Sequence, residues 1–236
     1  MTVVTFLLLS AVVGAAAFVQ GAVGIGFALI VAPVLGLIDA SYLPVTLLLL
    51  MLPLNFHVAW RERHWIDRRG AGWITIGRFF GTFLGLGVLV ALTIEQLELA
   101  VGLFTVLAAL AALVAPPFSP GKGSALGVGL FTGVTETATG IGGPPLALLY
   151  QHAAGPVLRS TVAACFLVGE VISLVILAIA GRLHAEQLLA ALILVPAVLL
   201  GSALSQMAHS RVNGPFLRFA VLAFAIVSGL FLILKP

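Results

Sequence analysis

Two acidic residues, Glu136 and Glu170, fall inside long apolar stretches of a 236-residue chain. A carboxylate near a bilayer centre costs roughly 2.5–3.5 kcal/mol on insertion scales, so each must be protonated, paired or facing water. Glu136 stands in Thr135-Glu136-Thr137-Ala138-Thr139, four residues before Gly140. Gln20 stands four residues before Gly24 in a similar setting. On a helix, positions i and i+4 share a face, so each polar group points the way of the glycine that follows it. Glu136 could relay protons or bind a substrate group; the plainer alternative is a hydrogen-bonded structural carboxyl. The neighbouring Thr hydroxyls suit a polar lining, although Thr also back-bonds to helix carbonyls.

Glu170, in Phe166-Leu167-Val168-Gly169-Glu170-Val171, is the second candidate proton carrier. Arg159 opens the same segment and could attract an anion or snorkel to the headgroups. Arg78, in Ile76-Gly77-Arg78-Phe79, could reach an interface or pair with a buried Glu, and the sequence leaves this open. Asn55 and His57 fall near the charged end of their segment. A histidine there can gate on protonation, the plainer alternative being a hydrogen-bonded interfacial side chain. The single cysteine, Cys165, excludes an intramolecular disulfide and reads as a small packing residue.

The elements that must position these groups follow from composition. The chain is 61% hydrophobic and 8% charged, against about 25% charged in a soluble domain. Its mean hydropathy is +1.24. These values exclude a cytosolic enzyme, a disordered protein and a nucleic-acid-binding domain. The pI near 9.6 comes from 11 basic against 8 acidic groups, too few and scattered to form a phosphate-binding stripe. The expected fold class is an all-α polytopic membrane protein. Met1-Thr2-Val3 has no basic n-region, so the N-terminus reads as mature sequence rather than a signal peptide.

Apolar segments run at about 3–36, 40–60, 71–93, 97–115, 124–151, 160–180, 186–208 and 215–234. Arg61-Glu62-Arg63-His64-Trp65-Ile66-Asp67-Arg68-Arg69 is the one dense charge cluster. Its arginines mark a cytoplasmic loop, and Trp60, Trp65 and Trp73 suit the interface around it. It reads as a topology anchor, with lipid or partner binding as the alternative.

The halves resemble each other at an offset of 116 residues: Gly24-Ile25-Gly26 maps onto Gly140-Ile141-Gly142, Gly85 onto Gly201, and Gln20 onto Glu136. The expected organisation is a first membrane repeat at 1–115, a linker at 116–123 and a second repeat at 124–236. A helix over 3–36 would measure about 50 Å against a core of about 30 Å. Both overlong first segments carry a Gly-rich patch, which predicts a broken helix in each. Broken backbone at membrane depth must be surrounded by protein or water, and it aims free N–H groups at the gap, which suits an anion. If each long segment crosses, the repeats run in parallel; if each re-enters, they are inverted. The positive-inside rule does not decide, because each arrangement groups different basic residues with Arg61. Re-entry uses the extra length better and is the preferred expectation.

No G-x-G-x-x-G order, P-loop, H-E-x-x-H or metal-ligand spacing is present, so no cofactor or metal is expected. At Gly21-Ala22-Val23-Gly24-Ile25-Gly26-Phe27 and Gly133-Val134-Thr135-Glu136-Thr137-Ala138-Thr139-Gly140-Ile141-Gly142-Gly143-Pro144-Pro145 the sequence resembles the TauE/SafE family of sulfite exporters. The two-repeat plan and total length extend the resemblance over nearly the whole chain. It implies a bacterial-type transporter of sulfite, sulfoacetate or a related organosulfur anion, proton-linked and usually outward. Phe27, where the second patch has Gly143, makes the halves unequal.

The combined expectation is a non-enzymatic, multi-pass transporter of the cell membrane, the bacterial inner membrane by resemblance. Its partners would be a small sulfur-containing anion, protons and membrane lipid, with no nucleic acid. Backbone N–H groups near Gly24, Gly26, Gly140, Gly142 and Gly143, with Gln20, Thr139 and Arg159, would bind the anion. Glu136 and Glu170 would carry the proton. A passive anion channel with the same lining is the alternative.

Overall fold

A computed structural model describes residues 3–114, 121–208 and 214–235. The described residues are helical, with no strand, and form ten α-helices. These are α1 (Val3–Val23), α2 (Phe27–Asp39), α3 (Val45–Arg61), α4 (Arg68–Ala91) and α5 (Ile94–Val114), followed by α6 (Lys122–Thr139), α7 (Gly143–Tyr150), α8 (Gly155–Ile179), α9 (Ala185–Ala208) and α10 (Gly214–Ile233). Six of them (α1, α4, α5, α8, α9 and α10) are long and apolar enough to cross a membrane. Large apolar side chains such as Phe80, Leu84, Leu192 and Phe231 face outward, while a continuous apolar core lies inside. Helices apolar on both faces need lipid as their outer solvent. The chain is a multi-pass membrane protein. Most of the expected linker lies outside the described residues.

Each overlong apolar segment is two helices. The break between α1 and α2 lies at Gly24–Gly26, where Gly24 and Gly26 take φ of +95° and +124°. The break between α6 and α7 has Gly140 at φ +82°. Side chains with a Cβ rarely adopt such angles, so glycine at these positions sets where the helices stop.

Close backbone approaches fix helix directions. Along α4, Gly77 meets Leu126 and Leu130, Gly81 meets Leu130 and Gly133, and Gly85 meets Val134 and Thr137. The contacts climb both helices together, so α4 and α6 run parallel along a seam of small residues. Similarly, Gly14 meets Ala197, and Gly21 meets Ser202 and Ser205, so α1 and α9 run parallel. In contrast, α5 and α10 are antiparallel, since Glu98 pairs with Lys235 while the Ala112 carbonyl accepts from Arg218.

Two ends of the bundle are thereby defined. One gathers Glu62 and Asp67 from the α3–α4 loop, Tyr150 at the end of α7, and Arg159 and Thr161 at the start of α8. Arg159 Nη2 lies 3.0 Å from Glu62 Oε1. The Asp67 N–H donates to Thr161 Oγ1 at 3.0 Å, and Tyr150 O–H to Asp67 Oδ2 at 2.9 Å. Lys122 also lies here, 4.4 Å from the Trp73 ring centroid. The other end joins the α2–α3 and α8–α9 connections through Gln187. Its amide donates to the Ser41 carbonyl at 2.7 Å, and its carbonyl accepts from Thr46 Oγ1 at 3.3 Å. Arg182 lines a cavity at that end beside Ser41 and Gln187, and Lys235 reaches the Gly36 carbonyl and Glu98 there.

Candidate substrate and proton site

Five polar side chains from five helices meet inside the bundle. Gln20 comes from α1, Asn55 from α3, Arg78 from α4, Glu136 from α6 and Glu170 from α8, all buried. Arg78 Nη2 pairs with Glu136 Oε2 at 2.6 Å, with neither side chain exposed. Arg78 Nη1 donates to the Cys165 carbonyl at 3.0 Å, and its guanidinium lies 5.5 Å from the Phe166 ring centroid. The guanidinium passes over Gly169, where a Cβ would come within about 2.0 Å of it. Only a glycine one residue before Glu170 leaves the path open. The open question about Arg78 resolves in favour of a buried Glu.

The second part of the cluster is a relay of neutral amides ending on a carboxyl. The Phe27 N–H, first of α2, donates to Gln20 Oε1 at 3.0 Å. Gln20 Nε2 donates to Asn55 Oδ1 at 2.9 Å, and Asn55 Nδ2 to Glu170 Oε1 at 2.6 Å. Glu170 lies within electrostatic reach of both Glu136 and Arg78. Buried side-chain atoms without a hydrogen-bond partner among the described residues include Arg78 Nε, Thr132 Oγ1, Glu136 Oε1 and Glu170 Oε2. Such atoms are uncommon inside proteins and mark where a site has unspent bonding capacity.

The structure brings together Gln20, Glu136 and Glu170 of the expected set. Gly142 adjoins them, because a Cβ there would lie about 2.5 Å from Glu136 Oε2. Gly140 and Gly143 flank it at the second break, where Thr139 Oγ1 donates to the Thr135 carbonyl and accepts from the Ile141 N–H. Gly24 and Gly26 form the first break, but the nearby Phe27 N–H is already taken by Gln20. This narrows the expectation that backbone donors at both breaks are free for an anion. Pro144 and Pro145 narrow it further, since neither has an N–H.

Arg159 is held apart from the cluster. Its Nε and Nη2 both donate to Glu62, at 3.0–3.2 Å. Its stem lies against Gly24, so it guards the first break rather than filling it. Asn55 was expected near an interface beside His57. It is fully buried and belongs to the cluster, whereas His57 bonds to Gln206 on α9. Sequence reasoning leaves open whether Arg78 and Asn55 belong to the site. The available signal was that an Arg and an Asn in such apolar helices need polar partners.

The family model for Sulfite exporter TauE/SafE matches residues 8–232. No curated protein and no solved structure matches the chain. The match spans both breaks and every residue of the buried cluster, and it shows that the chain belongs to the TauE/SafE family of sulfite exporters.

Proposed function

We propose that this protein is a proton-coupled exporter of a small sulfur-containing anion, sulfite or an organosulfonate, across the cell membrane. It acts as a carrier and not as an enzyme. The observation that carries the reading is the buried Arg78–Glu136 pair, whose guanidinium lies against Gly169, the residue before the buried Glu170. In so dry a setting, charge balance governs occupancy. With a proton on Glu170, the Arg78–Glu136 pair is neutral as a unit. A second proton, on Glu136, leaves the guanidinium free for an incoming anion. Proton and anion thus bind and move together, so export runs down the anion's own outward gradient, and an imposed proton gradient drives the anion in the direction the protons flow. Arg78 Nε and the glycine N–H groups at Gly142 and Gly143 are the donors available to the anion, with Thr139 and Gly140 shaping the turn.

The carrier is built as two inverted four-segment repeats, 1–115 and 124–236, each opening on a re-entrant broken helix. Support comes from the placement of helix ends: α1 runs toward the Arg159 end and α2 returns to the Gln187 end, while α6 and α7 do the opposite. Arg61, Lys122 and Arg159 share one end, with Arg182 and Lys235 at the other; this supports the inverted grouping, whose remaining member Arg211 lies outside the described residues, and a cytoplasmic Arg61 end. Sites at the interface of inverted repeats are a common carrier plan. An anion arriving from the cytoplasm would meet Arg159 first and compete with Glu62 for it.

The test is flux in proteoliposomes. Labelled sulfite, sulfoacetate, thiosulfate and an unrelated anion are followed with and without a pH gradient. The wild type is expected to accumulate a sulfur-containing anion uphill when a proton gradient is imposed, which a passive channel cannot do. Glu136→Gln is expected to remove the pH dependence while the protein stays folded; unchanged proton-coupled flux would overturn the assignment of Glu136.

A further inference from the structure

A second site lies away from the buried cluster, where the N-terminal ends of α4 and α6 sit side by side. The seam of small residues holds these helices parallel, and between their first turns is a cavity of about 310 Å³ lined by Asp67, Arg69, Gly70, Trp73, Lys122 and neighbours. Arg69 and Lys122 are exposed, and neither takes part in an ion pair among the described residues. The wall holds one carboxylate, Asp67, which accepts from the Gly70 N–H and the Tyr150 hydroxyl, against the two cations Arg69 and Lys122, so its balance is positive. Lys122 Nζ stands 4.4 Å above the Trp73 ring, which fixes an ammonium over an aromatic face at the rim.

What lies beyond the rim identifies the ligand class. Arg69, Trp73, Ile76, Phe80 and Phe83 recur at helical spacing along one face of α4. Ile76, Phe80 and Phe83 are all exposed. Read outward from the cavity, the stripe runs cation, indole, then bare apolar side chains. A glycerophospholipid presents the complementary order of phosphate, glycerol interface and acyl chain. A freely diffusing phosphate would use only the first part of it.

We infer that this cavity is a binding site for the phosphate of an anionic glycerophospholipid, held by Arg69 and Lys122, with an acyl chain laid along Ile76, Phe80 and Phe83. The cavity and stripe carry this inference without reference to transport. The occupant would clamp the first turns of α4 and α6, whose seam supports both members of the Arg78–Glu136 pair.

The experiment is thermal unfolding of the full-length protein in a neutral detergent, titrated separately with phosphatidylglycerol, phosphatidylcholine and inorganic phosphate. Phosphatidylglycerol is expected to raise Tm by roughly 3–6 °C at about ten times its Kd, while the other two leave Tm unchanged. The double variant Arg69→Ala/Lys122→Ala should lose that shift while melting normally without lipid. The charge-matched control Arg63→Ala/Arg68→Ala, outside the cavity lining, should keep it. An equal shift with phosphatidylcholine or inorganic phosphate, survival of the shift in the cavity variant, or its loss in the control would each overturn the inference.

Discussion

The two broken helices begin from the same sequence plan and finish differently. At the first break, Gln20 turns back to accept from the Phe27 N–H, so the side chain one turn before the glycines caps the helix that follows. At the second, the corresponding Glu136 lies against Gly142 but pairs with Arg78 on α4 instead of bonding to the α7 backbone. The first break is therefore closed locally by a neutral bond and braced from outside by the Arg159 stem. The second depends on a charge 58 positions distant in the chain. A carboxamide does not titrate, whereas a carboxyl can take up and release a proton. Under the proposed function, the first break is structural and the second does the work.

The largest expected effect falls on the second break. Arg78→Ala strands Glu136 in the core and should cost about 3–5 kcal/mol, seen as a large drop in the detergent unfolding midpoint. Replacing both partners, Arg78→Leu with Glu136→Leu, should recover most of that stability while transport stays absent. A double variant as unstable as the single would mean that the pair is not the source of the cost.

The brace over the first break comes next. Glu62→Gln weakens charge-assisted bonds worth roughly 1.5–3 kcal/mol, so opening at that end should rise about ten- to hundredfold. Cys165 is a native reporter, buried and close to Arg78. Its alkylation rate by a small maleimide should climb with Glu62→Gln and stay unchanged with Gln187→Ala at the far end. Equal rates in all three proteins would remove Arg159 and Glu62 from any gating role.

Smaller effects test the turns. Gly140→Ala forces a Cβ into positive φ at a cost of about 1–2 kcal/mol and presses on Leu47. Gln20→Ala leaves the Phe27 N–H and Asn55 Oδ1 unpaired and should cost about 1–3 kcal/mol, with the pH dependence of flux retained. If Gln20→Ala instead abolished pH dependence as Glu136→Gln does, the two breaks would be working as equals.

Much of this was legible in the residues themselves. The glycine patches announced the breaks because residues with a Cβ rarely adopt such φ values, and helix length against bilayer thickness required a break. Gln20 and Glu136 stood out because polar groups one turn before those patches must face them. The contacts of Arg78 were not legible. In a helix apolar on all sides, hydrophobic periodicity does not say which face is inside, and a partner on another helix leaves no local trace. Asn55 shows the same limit. Counting from Arg61 gave its distance from the charged end, but its facing toward Glu170 depends on how α3 meets α8. For Arg159 the sequence offers an anion or the headgroups and not Glu62, because Glu62 lies in a loop whose path the sequence does not specify.

The seams between α4 and α6 and between α1 and α9 have a consequence for how the polypeptide can be divided. Arg78 lies before residue 115, while Glu136 and Glu170 lie after it. A fragment ending at the linker would bury a guanidinium with no acid, and the remaining fragment two carboxyls with no base. Neither piece alone would keep its buried charge paired, yet the two carry matching surfaces and opposite charges. Synthesised from separate messages in one cell, they should find each other and assemble as a heterodimer, with the Arg78–Glu136 contact becoming an intermolecular bond.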